Sequence, residues 1–287
     1  LGKDDIKRLV IRIAIPSMLA QFVNVLYSVV DRIYLGRLPG SSHLALTGLG
    51  VTIPIVSIIM GFANLCGTGG GPIFSICRGQ GDREEAERVM GNSFSLLLIL
   101  GAICTAFFLI FKRPILYLFG ASDATFPYAD DYMTIYLMGT LFVMISLGMN
   151  PFVNAQGFGS VGMMTVVLGA AVNIVLDPIF IFLLDMGVKG AALATVIGQA
   201  ISCLTALVFS LRHRADLGLL PRYLRPEAEM VKRTLKLGFP VALQWTIASI
   251  SWLVVLTLIN KYGVTVSAGN GVSNKIRDFC QLFLSAL

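Results

Sequence analysis

Seven apolar blocks dominate the chain, and each is too long to serve as the core helix of a small soluble domain. They lie at 9–37, 44–77, 87–111, 126–155, 163–185, 190–211 and 230–261, and an eighth opens near residue 270. Crossing a bilayer takes about 20 mostly apolar residues, so each completed block is read as a span. Composition agrees. Of the 287 residues 56% are hydrophobic and 13% charged, about half the charge of an ordinary soluble domain. The fold class is therefore all-α, a polytopic membrane protein. Several blocks exceed the bilayer thickness and are expected to tilt or project. Pro16, Pro54, Pro151, Pro178 and Pro240 fall inside spans, where kinks are expected and neighbours re-satisfy the backbone.

The net charge is +6, but the basic residues sit in the connections between blocks. They read as topology signals and not as a nucleic-acid surface. Lys3, Lys7, Arg8, Arg12, Arg78, Arg83 and Arg88 share one side with the cluster from Arg212 to Lys236. The opposite side holds Arg37, Lys112, Arg113, Lys189 and Lys261. The positive-inside rule then places the N-terminus in the cytoplasm, and a bacterial plasma membrane is the expected location. The start, LGKDDIKRLVIRIAIP, has no cleavable-signal pattern and no initiator Met. Cys66, Cys77, Cys104, Cys203 and Cys280 are scattered without metal-like spacing and read as buried thiols.

A faint internal repeat divides the chain. Arg8-xxx-Arg12-xxx-Pro16 before span one is echoed by Lys232-xxx-Lys236-xxx-Pro240 before span seven. Ala45-Leu-Thr-Gly48 is echoed by Ala268-Gly-Asn-Gly271. Parallel six-helix repeats recur among transporters. The expected organisation is a six-helix N-terminal lobe over 1–211, a cytoplasmic linker loop over 212–229, and the incomplete start of a second lobe over 230–287.

Only Asp31 and Asp177 place carboxylates well inside the spans; Asp185 sits at the edge. A charge at the bilayer centre costs about 2.5–3.5 kcal/mol on insertion scales, so each needs a reason. Counted from the outer span ends, both lie roughly 9–12 Å deep at 1.5 Å per residue, and Thr195 falls at a comparable depth. Asn173 precedes Asp177 by one helical turn on the same face. Asn24 and Tyr27 continue a polar stripe leading to Asp31. Two carboxylates with amide and hydroxyl oxygens can share a proton or hold a small hard cation such as Na+. The structural alternatives are that Asp31 pairs with adjacent Arg32 and that Asp177 caps backbone freed by Pro178.

Other features carry less. His43 and His213 read as solvated edge residues, and Trp245 and Trp252 as packing on one helix face. Met138, Met144, Met149, Met163 and Met164 read as packing too. The Gly67-xx-Gly70-Gly71-Pro72 stretch lacks the Lys-Ser/Thr of a phosphate loop. No catalytic triad, zinc spacing or nucleotide fingerprint occurs, so no enzyme activity is expected.

IAIPSMLAQFVNVLYSVVDRIYLG with ALTGLG, SICRGQGDREEAERVMGNSF, and NAQGFGSVGMMTVVLGAAVNIVLDPIFIF with GVKGAALATVIGQ, in that order, resemble the multidrug and toxic compound extrusion (MATE) family of the MOP superfamily. The resemblance runs through essentially the whole chain. It implies a twelve-helix, two-lobe bundle of which this chain is about two-thirds. It also implies an antiporter that expels organic cations, drugs and other amphipathic compounds against H+ or Na+ by alternating access. The coupling-cation positions it implies are Asp31, Asn173, Asp177 and Thr195, the same oxygens that would hold Na+. Tyr27 and Tyr132 look like the tyrosines near that site, with Asn24 in support and Pro16 and Pro178 as bend points. Span seven has no carboxylate, and Val255 falls opposite Asp31, so coupling is expected in the N-terminal lobe. No cofactor and no nucleic-acid partner are expected. Small-molecule substrates and membrane lipid are the expected partners, and the protein is expected to be a monomer. The rival reading is a flippase for lipid-linked precursors. Such proteins meet pyrophosphate with several buried arginines, whereas Arg32 alone lies deep in the first seven spans.

Overall fold

The computed structural model describes residues 6–38, 42–212 and 221–260, together with Ser273. The expected eighth span, His213, Cys280 and the Ala268–Gly271 repeat match lie outside the described residues, as do the side chains of Trp245 and Trp252. Every described element is helical. α1 (Ile6–Leu35), α2 (Ser42–Gln80) and α3 (Arg83–Leu118) come first, followed by α4 (Phe126–Met138) and α5 (Thr140–Ala155). α6 (Gly159–Pro178) runs into a π-helical turn at Ile179–Leu183, and α7 (Val188–Arg212) follows. A 3-10 turn at Pro221–Tyr223 leads to α8 (Ala228–Asn260).

Helices α2, α3, α6 with its π turn, and α7 are long and apolar enough to cross a membrane, and the bent α4–α5 pair makes a fifth if it is counted as one span. For α1 and α8, helices of 30 and 33 residues, spanning rests on their sequence and length. The expected single span at 126–155 is broken. α4 and α5 meet at 59° across Gly139, whose backbone N–H turns to the carbonyls of Ile135 and Tyr136. Beyond Asp130 and Asp131 near its start that stretch is mostly apolar, so hydropathy alone reads it as one helix.

Local chemistry sets the tight ends. Gly81, at φ 80°, turns the chain between α2 and α3, a left-handed conformation that costs glycine little. Asp82 then caps α3, accepting from the Glu85 N–H at 3.0 Å, with Glu84 and Glu85 placed favourably in the first turn.

Within the lobe, α2 packs against α3 and α5, α6 lies between α1 and α7, and α5 contacts α7. α1 leans on α6 and barely touches α2. α8 lies along α2 in an approach that only glycine permits: a Cβ on Gly238 would fall 2.0 Å from the Leu65 carbonyl oxygen, and one on Gly69 2.3 Å from that of Thr234. Small residues at such crossings let backbones approach and maximise dispersion where lipid removes the hydrophobic drive.

The segment leading into α8 is tied to α3. Asn92, 1% exposed, accepts from the Glu227 N–H at 2.5 Å, and Ser95 donates to the Leu224 carbonyl at 2.5 Å. Tyr223 donates to Glu84 at 3.2 Å, and Arg233 pairs with Glu85 at 3.3 Å. At the far end of α3, Lys112 Nζ donates to Asp130 Oδ2 at 2.9 Å and to Thr134 at 2.7 Å, which fixes α4.

Candidate functional site

α6 carries the centre of the site. Its residues Gly162, Thr165, Gly169, Asn173 and Asp177 recur at three- and four-residue spacing and are all buried, so one helix face turns its polar side chains inward. Asp177 is 0% exposed and Asn173 3%. Asn173 Nδ2 donates to Asp177 Oδ1 at 3.3 Å and reaches Thr195 Oγ1 on α7 at 3.4 Å. Thr195 is oriented for this because its own hydroxyl donates to the Ala191 carbonyl at 2.9 Å.

Asp31 comes from α1, one turn before that helix ends at Leu35. It lies close enough to Asp177 for the two carboxylates to feel each other's charge. Tyr27, one helical turn before Asp31, lies within electrostatic range of both acids and lines the adjoining cavity. Tyr132, 8% exposed, brings its hydroxyl to Thr195 and stacks on Tyr136, centroids 5.9 Å apart at 16°. Asp31 Oδ1, Asn173 Oδ1 and Asp177 Oδ2 are buried and have no hydrogen-bond partner. Buried polar atoms are nearly always paired, so these three oxygens leave acceptor capacity unused inside the protein.

The structure therefore brings together Asp31, Asn173, Asp177, Thr195, Tyr27 and Tyr132. Asn24 lines the cavity beside them. The pairing of Asp31 with Arg32 is not formed: Arg32 is exposed, and adjacent helical residues do not face each other. Pro178 does not break its helix. The chain continues through the π turn, closed by the Leu184 N–H on the Ile179 carbonyl at 2.9 Å, and such turns concentrate at functional positions in helices. α1 likewise runs unbroken through Pro16. Met144 and Met149 are core residues, Met138 and Met164 face outward, and Met163 lines the cavity. His43 is exposed.

A cavity of about 350 Å³ adjoins the site, between α1, α2, α5, α6 and α7. Much of its lining was missed by depth counting alone. α5 supplies Ser146, Asn150 and Asn154, and α7 adds Gln199 and Ser202 beyond Thr195. Their signal was available in the sequence as polar residues at i, i+4 and i+8 in α5 and at i, i+4 and i+7 in α7.

These features define a class: a multi-pass α-helical membrane protein whose lobe encloses an acidic, oxygen-rich site. The chain belongs to the MatE family, whose model matches residues 16–179. Multidrug export protein MepA of Staphylococcus haemolyticus (strain JCSC1435) is 30% identical over 285 residues, an alignment covering 99% of this chain and 63% of that protein. MepA of Staphylococcus saprophyticus is 28% identical over 287 residues, with the same two coverages. Among solved structures, the outward-facing conformation of a multidrug resistance MATE family transporter of the MOP superfamily superposes with a TM-score of 0.91 at 27% identity. That match covers 99% of this chain and 63% of the other. A MOP superfamily transporter from Pyrococcus furiosus Vc1 gives a TM-score of 0.89 at 27% identity, with equal coverage. The chain thus spans 63% of the length of the curated relatives it matches.

Proposed function

We propose that the chain is the N-terminal lobe and first part of the second lobe of a cation-coupled exporter of organic cations, drugs and other amphipathic compounds. H+ or Na+ enters at Asp31 and Asp177, with Asn173 and Thr195 as neutral oxygen donors, and its entry neutralises the pocket. Neutralisation loosens the hold on a cationic substrate and favours one face of an alternating-access cycle. An ion can shift that equilibrium only by binding the two states unequally. Two carboxylates whose charge changes on loading supply the inequality, and bending of α1 about Pro16 is the proposed response.

The observation that carries this reading is the set of three unpartnered buried oxygens on Asp31, Asn173 and Asp177. The family and its multidrug-export relatives support the substrate class. Orientation with the N-terminus in the cytoplasm rests on the Lys and Arg distribution. The flippase reading is disfavoured because the cavity lining holds no arginine or lysine to meet pyrophosphate.

The test uses the full-length protein in liposomes loaded with a fluorescent organic cation, with a pH gradient and a Na+ gradient imposed separately. Gradient-driven efflux by the wild type, and its loss in Asp177→Asn, is the expected result. The gradient that works names the ion. Undiminished coupled efflux in Asp177→Asn would overturn the assignment.

A further inference from the structure

α4 cannot take its orientation from the next helix in the chain. The 59° break at Gly139 separates it from α5, and it packs against α2, α3 and α7 while making little contact with α5. Its place is set from the side. On α3, Thr105 and Lys112 lie two turns apart on one face, and both reach α4. The Thr105 hydroxyl donates to the Leu137 carbonyl at 3.3 Å, beside the break. Nearer the start of α4, Lys112 Nζ lies 2.8 and 2.9 Å from the two carboxylate oxygens of Asp130 and donates to Thr134 Oγ1 at 2.7 Å. The Thr134 hydroxyl closes the knot on the Asp130 backbone carbonyl at 2.7 Å.

This lysine follows the apolar run LLLILGAICTAFFLIF, and ionisable residues within membrane helices are costly and mark function. The Lys112 and Asp130 side chains are 23% and 28% exposed. Lys189 on α7 also pairs with α4, through Asp131 at 3.4 Å, but those side chains are 53% and 42% exposed. An exposed pair of that kind contributes little. Lys112 is the stronger anchor.

Tyr132 lies midway in sequence between Asp130 and Thr134, about half a turn around the helix from each. It therefore turns away from α3 and toward α7. Its ring is buried and stacked on Tyr136, and its hydroxyl reaches Thr195. The break itself seats beside the same residue: a Cβ on Gly139 would fall 2.5 Å from Val196 Cγ2. Thr195 donates to the Ala191 carbonyl and accepts from Asn173, so Tyr132 is its third partner. The front of α4 carries the tyrosine of the site, and its back carries the Lys112 knot. Binding groups have to be held to about 0.5 Å by what stands behind them, and no continuous helix supplies that hold here.

We propose that Lys112 is a positioning residue for the coupling site: by gripping the back of α4 through Asp130 and Thr134, it sets Tyr132 against Thr195. The inference rests on the coupling reading above. Released from Lys112, α4 rolls or slides on α7 and the Tyr132 hydroxyl leaves Thr195. The Thr195 side chain is then no longer pre-oriented toward Asn173, and the ion has to order it on entry. Ion binding weakens, although Lys112 touches neither the ion nor a carboxylate of the site.

Initial rates of efflux of a fluorescent organic cation, from liposomes holding the full-length protein, are measured against the concentration of the driving ion, H+ or Na+. Lys112→Met is expected to raise the half-saturating ion concentration roughly two- to tenfold, the worth of one net hydrogen bond, with the maximal rate kept. Tyr132→Phe removes only the hydroxyl and is expected to give the same shift, and the double variant no more than either alone. Lys112→Arg keeps the contacts and is expected to restore the wild-type value, and Lys189→Met to leave it unchanged. The sign discriminates, because deleting a positive charge would by itself draw a cation more tightly. A lowered maximal rate at unchanged half-saturation, a shift to lower ion concentration, an equal shift in Lys189→Met, or additive shifts in the double variant would overturn the proposal. Where Lys112→Met does not fold, Thr134→Val decides, since it removes one contact and unpairs no charge; an unmoved half-saturation there overturns the proposal equally. Wild-type efflux indifferent to both gradients would overturn the coupling reading and this proposal together. Gradient-driven efflux whose half-saturation ignores these variants would overturn this proposal alone.

Discussion

Asn173 holds the site together because it touches both of its neighbours through one amide group, Asp177 at 3.3 Å and Thr195 at 3.4 Å. Replacing it with leucine leaves Asp177 enclosed with neither oxygen satisfied, and an unpaired buried polar group costs about 1–3 kcal/mol, more when charged. Thr195→Val removes a longer contact and leaves the Asn173–Asp177 bond in place. Initial rates of gradient-driven efflux are therefore expected to fall further in Asn173→Leu than in Thr195→Val, and the reverse order would show that Thr195 is the principal donor. The cluster was legible in the sequence because lipid makes every buried carboxylate conspicuous, and equal depth on antiparallel spans brought Asp31, Asp177 and Thr195 to one level. Asn150 and Asn154 were not singled out, since neutral amides are far cheaper to bury and do not stand out by charge.

Among the elements, the helices were legible from the apolar blocks, but what happens within them was not. The bend at Gly139 and the π turn after Pro178 depend on which backbone groups find partners, and mean hydropathy carries no record of that. The contact of α8 with α2 was hidden for a similar reason: glycines in a span look permissive until a second helix is known to lie on them. Gly238→Val would drive a side chain into the Leu65 carbonyl, and overpacking of this kind costs about 1–3 kcal/mol. A lowered unfolding midpoint of the purified protein is the expected reading, and an unchanged one would mean that α8 does not seat on α2. The connection to α3 makes a separate claim. Asn92→Ala strips the Glu227 N–H of its acceptor, again at about 1–3 kcal/mol. It is expected to raise the rate of protease cleavage in the segment before α8, whereas unaltered cleavage would make that bond incidental.

In the whole molecule, ion and substrate are proposed to compete through one carboxylate pair. Linkage makes the effect reciprocal: if the ion weakens the substrate's hold, the substrate must weaken the ion's by the same factor. For proton coupling the sign is fixed. Protons neutralise the pair, so affinity for an organic cation must rise as pH rises; for Na+ coupling it must fall as Na+ is added. The most direct measurement is the equilibrium affinity of the full-length protein for a fluorescent organic cation, titrated across pH and then across Na+, in wild type and in Asp177→Asn. A clear dependence on one of the two ions is expected in the wild type, with a flat response in the variant. A flat wild-type response to both ions, or a variant as steep as the wild type, would contradict it.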